Sequence, residues 1–306
     1  MIRVKPRETA GGRGLRWYQF RLRTLLVLML LASVAMGAVA TTMRAAARQR
    51  DAVAEFCAAG GWVYYRDQLD ADGSFLLELQ NKPPGPPWLR KLLGDDFFRT
   101  VEQADVDSDA ACKYLPQFDQ LRIVVVREGV TDAGLEHLNE LRQLRDLVLF
   151  NDGLTSAGFE HIAELTWLEH LSLRGTHTGD AELERLRPMA KLRHLGLEET
   201  KVTDAGLRHL EGLTSLEDLR LDKTQVGDAG VGRLKGLARL RKLGLSGTRI
   251  SDAAVPCLVG FKQLSGLDVD NTNVSAEGVR KLERALPRCD VLSSKSSKPH
   301  DPFRSL

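Results

Sequence analysis

The sequence predicts an α/β solenoid of 24-residue strand–helix units, preceded by a single transmembrane helix. Two observations carry that expectation. "KVTDAGLRHLEGLTSLEDLRLDKT", residues 201–224, is followed directly by "QVGDAGVGRLKGLARLRKLGLSGT", residues 225–248, so one pattern recurs after 24 places. Far upstream, "TLLVLMLLASVAMGAVATTM", residues 24–43, carries no charge anywhere between Arg23 and Arg44.

Residues 1–23 form a basic leader. Arg3, Lys5, Arg7, Arg13, Arg16, Arg21 and Arg23 stand against Glu8 alone, so a formal charge of +2 for the whole chain conceals an acidic remainder. That remainder offers no electrostatic footprint for nucleic acid. As a helix, 24–43 is about 30 Å long, the thickness of a bilayer's hydrocarbon core. Positive charge is heavier before the span than after it, where Arg44, Arg48 and Arg50 follow. The positive-inside rule therefore predicts a signal anchor with its N-terminus in the cytoplasm and the repeats outside the cell membrane. The alternative is a signal peptide cleaved after "AVA" at 38–40, releasing a secreted repeat protein. The long leader and the length of the apolar run favour the anchor.

Residues 44–84 read as a juxtamembrane segment in which "GWVYY" and "SFLLEL" form a small hairpin across "DQLDADG". That turn is not a calcium loop, because Gln68 and Leu79 occupy positions where an EF-hand needs acids. "KPPGPPW" reads as a stiff connector and "WLRKLLGDDFF" as an amphipathic helix; with "VEQADV" they make residues 85–106 an N-terminal cap over the first repeat. The repeats run over 107–292. A one-residue slip in "LRIVVV" leaves open whether Ile123 and Val125 or Val124 and Val126 face inward. "LPRCDV" reads as a closing strand, and 293–306 as a disordered Ser-, Lys- and Pro-rich tail.

Within the repeats the columns define the unit. Leu144, Leu168, Leu192, Leu216, Leu240 and Leu264 form one; Leu147, Leu171, Leu195, Leu219, Leu243 and Leu267 stand three residues on; Leu149, Leu173, Leu197, Leu221, Leu245 and Val269 two further. The last two columns have strand alternation. Leu207, Leu210 and Leu213 are spaced as on a short helix. Neither element buries its apolar face alone, so units must stack. Thr131, Thr155, Gly179, Thr203, Gly227, Ser251 and Ser275 are helix N-caps by type. Asp132, Asp180, Asp204, Asp228 and Asp252 follow them, suited to the positive end of each helix. Thr176, Thr200, Thr224, Thr248 and Thr272 close each strand, where a hydroxyl can satisfy a buried backbone group in a stacked ladder.

The pattern "LxxLxLxxTxVTDAGLxxLxxL" resembles the leucine-rich repeats of the ribonuclease-inhibitor-like group, over about residues 100–292. The leader with "FRLRTLLVLML" and "PWLRKLLGDDFF" is similar to bacterial membrane-anchored leucine-rich-repeat proteins. The resemblance implies a right-handed horseshoe with strands on the concave face, helices on the convex one, and protein partners. No F-box-like segment precedes the repeats, so a ubiquitin-ligase adaptor role is not implied.

No Walker A loop, GxSxG elbow, HExxH helix or Rossmann fingerprint is present, and no enzyme activity, cofactor or metal is expected. Residues 51–98 contain no histidine to assist Cys57. The four cysteines form no CxxC pair and read as isolated small apolar residues. His137, His161 and His209 share a helix position with Arg185, Arg233, Cys257 and Lys281, which predicts a solvated convex face. His170 and His194 occupy matching places on neighbouring strands, where their rings can touch. That pair is either polar surface or a metal- or pH-sensing pair.

The variable strand positions are the candidate partner-binding residues: Val148, Phe150, Arg174, Glu198, Asp218, Arg220, Asp222, Asp268 and Asp270. Framework columns are fixed by packing, whereas these are free to carry recognition, with Phe150 the best anchor. Arg174–Glu198 and Asp218–Lys242 are expected as weak neighbouring ion pairs. The functional expectation is a membrane-anchored protein binding a protein or envelope ligand. The alternative is a structural envelope scaffold without a discrete ligand.

Overall fold

The computed structural model describes residues 14–68, 84 and 86–296. The chain divides into two compact units, residues 1–50 with 85–98, and residues 51–84 with 99–306.

A helix spans Gly14–Ala58, fifteen residues past the end of the apolar run. Its stretch from Thr24 is long and apolar enough to cross a membrane, and the side chains of that window are unburied. The first unit also holds the helix Pro87–Leu93, opened by a proline and stopped at Gly94, whose φ of 85° suits glycine. This helix has no buried residue, and Trp88 and Leu92 are exposed. Within the second unit, Ala52 and Phe56 in the last turns of the long helix are buried against the first end of the repeat core, and the Phe56 ring packs edge-on against Phe118 at 5.4 Å.

The second unit is built on one ten-stranded sheet in chain order: β1 (Trp62–Tyr65), β2 (Val101–Val106), β3 (Ile123–Val126), β4 (Asp146–Leu149), β5 (His170–Ser172), β6 (His194–Gly196), β7 (Asp218–Arg220), β8 (Lys242–Gly244), β9 (Gly266–Asp268) and β10 (Asp290–Leu292). Strands β2 to β10 are all parallel. From Leu147 through Leu171, Leu195, Leu219, Leu243 and Leu267 to Val291 the register advances by 24 residues a step. It shortens to 23 between Val124 and Leu147 and to 20 between Ala104 and Val124. That register resolves the slip: Val124 and Val126 are fully buried and Ile123 faces outward. β1 is antiparallel to β2, so "GWVYY" joins the repeat sheet and is the outermost strand among the described residues. The expected partner strand in "SFLLEL" and the "DADG" turn lie outside the described residues.

Opposite the sheet each coil returns through short α-helices, such as Ser156–Glu164, Asp228–Arg233 and Ala276–Ala285, or through 3-10 turns alone, as at Gly206–Leu210. A 3-10 turn rises about 2.0 Å per residue against 1.5 Å for an α-helix, so it crosses a short coil with fewer residues. Between the layers the three leucine columns are buried, each side chain contributing roughly 2 kcal/mol by leaving water.

The polar columns divide the remaining work. Thr176, Thr200, Thr224, Thr248 and Thr272 are buried, and each hydroxyl donates to the carbonyl three residues back at 2.6–2.7 Å. Their bonds close individual coils and do not run between them. The inter-coil ladder is made by the aspartates. Asp109, Asp132, Asp180, Asp228 and Asp252 each accept both the backbone N–H and the hydroxyl of the next coil's N-cap: Thr131, Thr155, Thr203, Ser251 and Ser275. Asp204 accepts the Gly227 N–H alone. The glycine of "DAG" follows from this contact. A Cβ at Gly158 would stand 2.3 Å from the Asp132 carboxylate, and one at Gly206 2.3 Å from that of Asp180. Where Ser156 replaces the aspartate, the next coil has Glu182 in place of glycine, and Glu182 caps Gly179 N–H itself at 2.9 Å.

Candidate partner-binding face

Parallel register places the outward side chains of the strands in lines across the sheet. One line reads Gln103, Ile123, Asp146, His170, His194, Asp218, Lys242 and Gly266; a second reads Asp105, Val125, Val148, Ser172, Gly196, Arg220, Gly244 and Asp268. Phe150, Arg174, Glu198, Asp222 and Asp270 stand two residues further along their coils. All nine candidate residues therefore share one face. A groove of about 480 Å³ follows it, lined among others by Val148, Phe150, His170, His194, Glu198 and Arg220.

The apolar end is larger than the sequence suggested. Phe150 is 48% exposed, and β1 adds Trp62, 50% exposed, opposite Asp105, and Tyr64 opposite Gln103. Ile123 and Val125 complete it. The alternation within "GWVYY" announces a strand with Trp62 and Tyr64 on one side, but no short-range signal tells which strand it pairs with. Asp105 is buried on this face and accepts from Arg127 at 2.6 Å and from Gln103 at 2.9 Å. That hydrogen bond raises the Arg127 pKa, while burial first and the Asp105 charge second raise that of Tyr64.

At the centre the His170 and His194 rings meet edge-on with centroids 4.1 Å apart. His170 Nδ1 pairs with Asp146. Burial, then the neighbouring His170, lowers the pKa of His194. Among the described residues no group of three or more His, Cys, Asp or Glu side chains is placed to hold a metal ion. One histidine of the helical column differs from expectation: His209 is buried, with Arg208 donating to its Nε2 at 3.1 Å, and burial lowers its pKa, whereas His137 and His161 are partly exposed. All four cysteines are free thiols; burial pushes Cys112 up to about 12.

Toward β9 the face becomes acidic. Two expected ion pairs are replaced. Arg174 reaches Glu199 at 3.4 Å rather than Glu198, because Glu199 lies where the chain turns outward with φ of 60°. Asp218 holds Arg220 of its own strand at 2.8 Å rather than Lys242. Burial opposes the Arg220 charge, but its bond to Asp218 and the fields of Asp218, Asp222 and Glu198 raise its pKa overall. Burial raises the carboxyls of Glu198, Asp222 and Asp268 above their usual range. Asp270, which accepts hydrogen bonds from the Ser294 hydroxyl and backbone N–H, is lowered. Among the described residues no ion pair within 4.0 Å reaches Glu198, Asp222 or Asp268, and Glu198 Oε2 is shielded from solvent without a hydrogen-bond partner.

No family model matches this chain, and no curated protein does. Similar solved structures include an internalin from Listeria monocytogenes, 20% identical with a TM-score of 0.46 over 61% of this chain and 57% of that one. Another is internalin C2 from the same organism, 22% identical with a TM-score of 0.47 over 65% of this chain and 82% of that one. The chain thus spans a little over half the length of the first.

Proposed function

We propose that this chain is a membrane-tethered leucine-rich-repeat protein of the ribonuclease-inhibitor-like type. Its open strand face captures a protein or envelope partner outside the cytoplasm. The role is binding, not catalysis, and nucleic acid is not the ligand. The observation that carries this reading is a single face combining half-exposed Trp62 and Phe150 with carboxylates that burial has made unfavourable. Framework side chains lower the energy of the fold, whereas these raise it, and residues that break local rules without a structural return mark functional surfaces. Placement at a membrane rests on the apolar helix from Thr24 and on the basic leader.

The test is cross-linking in intact cells with the full chain, followed by capture of what is joined to it. Phe150→Ala should abolish capture of a partner that the parent chain retains. Unchanged capture would favour the scaffold reading, in which the repeats space envelope components without a discrete ligand. Topology is checked on the exposed Cys57 thiol: a membrane-impermeant maleimide should label it in intact cells, and protection until lysis would place it on the cytoplasmic side.

A further inference from the structure

We infer that the partner presents an extended segment with an aromatic or aliphatic anchor at one end and cationic side chains about 14–24 Å beyond it. The anchor sits on the Trp62–Phe150 end of the face and the cations over β7 to β9. This rests on the strand face being the partner-binding surface and adds the chemistry of what it binds. Adjacent strands lie about 4.8 Å apart, so the three to five steps from β4 to β7 and β9 set that span.

Shape and charge argue for this occupant together. At the first end, Trp62, Val125 and Val148 lie along one line across the sheet, with Phe150 beside them, and both aromatic rings are half exposed. Exposed aromatic groups next to a groove are the residue types that dominate binding energy in protein interfaces. At the other end, the face over β6 to β9 bears Glu198, Asp218, Asp222, Asp268 and Asp270 against Arg220 and Lys242, a formal excess of three negative charges. Arg220 is held by Asp218, which leaves Glu198, Asp222 and Asp268 without an ion-pair partner among the described residues. Gly196, Gly244 and Gly266 bring no side chain of their own to the face, and the carboxylates of Glu198 and Asp222 lie over the first two. A Cβ at Gly244 would stand 2.2 Å from Asp222 Oδ2, which shows how closely that carboxylate overhangs the glycine. A cationic side chain laid over this end of the face meets three carboxylates that burial already holds above their usual pKa, and would bring them down. An anionic segment is repelled, and so is a second copy of this chain laid face to face, since like charges would then oppose each other.

The experiment is selection of a display library of random 12-residue peptides on the full chain in lipid nanodiscs. Recovered peptides should carry a large apolar residue and at least two Arg or Lys placed four to seven residues away, at about 3.4 Å per extended residue. Asp222→Asn with Asp268→Asn should weaken them at least tenfold, and Phe150→Ala likewise. Each asparagine keeps the oxygen that accepts the Ser246 or Asp270 amide, so that variant retains its fold. Affinity should also fall as salt rises. Binders that depend on Phe150 but lack basic residues and ignore the two asparagines overturn the cationic partner and leave the face as a binding surface. Binders indifferent to all three substitutions, or no peptide enriched over the triple variant, overturn both.

Discussion

The aspartate ladder predicts a strong coupling between Asp132 and Gly158. Asp132→Ala removes the acceptor for the Thr155 N–H, at 3.0 Å, and for its hydroxyl. Hydrogen bonds to a charged group contribute about 1.5–3 kcal/mol each when shielded. These are solvent-accessible, so the pair together is assigned about 2 kcal/mol. Gly158→Ala would by itself favour the helix Ser156–Glu164 by about 0.8–1.0 kcal/mol. With Asp132 present, the new Cβ lies 2.3 Å from the carboxylate and must displace it, which forfeits most of the 2 kcal/mol and leaves a net loss of about 1 kcal/mol. In the Asp132→Ala background the same change should stabilise by about 1 kcal/mol. The cycle therefore predicts a coupling of roughly 2 kcal/mol, measured by urea unfolding of the full chain in detergent under far-UV circular dichroism. Additivity within about 0.5 kcal/mol would refute the ladder as the reason for the glycine. Ala254 bounds the argument: a methyl group is tolerated opposite Asp228, which still reaches Ser251 at 2.7 Å.

Other predictions follow from single contacts. Leu219→Ala opens a cavity at a fully buried position and should cost about 2–5 kcal/mol in the same unfolding assay. Thr224→Val removes the hydroxyl that donates to Leu221 O at 2.6 Å and leaves that carbonyl only the Thr224 backbone N–H at 3.2 Å, a loss of about 0.5–1.5 kcal/mol. Asp222 has its carboxyl raised, first by burial, so the native state holds a proton more tightly than the unfolded chain. The stability this gives at acid pH is lost as pH rises through the raised value. Asp222→Asn should accordingly be more stable than the parent at pH 7, with the difference closing as pH falls toward 3.8. His194 is shifted the other way: lowered by burial and by His170, it protonates more readily unfolded, so its contribution persists above pH 6.5 and is lost below. Parent and His194→Gln should diverge between pH 7 and pH 5, and parallel pH profiles would count against the shift.

Strand–helix stacking was legible because each framework column repeats one physical demand: apolar side chains at strand spacing, a capping hydroxyl, and a buried turn threonine. The nine face residues were legible for a complementary reason, since alternation tells which strand positions point away from the leucines. Three things were not. The pairing of β1 with β2 joins Trp62 to Asp105 across 43 residues, and antiparallel pairing leaves no periodic mark. The aspartates looked like helix-dipole partners of their own coil because sequence shows the carboxylate and the cap but not that one coil's acid reaches the next coil's hydroxyl. The substitution of Ser156 together with Glu182 was the available clue, a missing acid and a missing glycine in register. Ion-pair choice also depended on backbone direction: Glu199, with φ of 60°, takes Arg174 and Lys223, at 3.4 and 3.0 Å, away from the face.

The most direct test of recognition on the strand face is a photoreactive amino acid placed in the full chain, in living cells, one position at a time. Positions 148, 172 and 196 on the face should join one discrete partner, while Glu160 and Glu184 on the opposite layer should not. Cross-linking that is equal at both layers, or confined to the helices, would contradict the account.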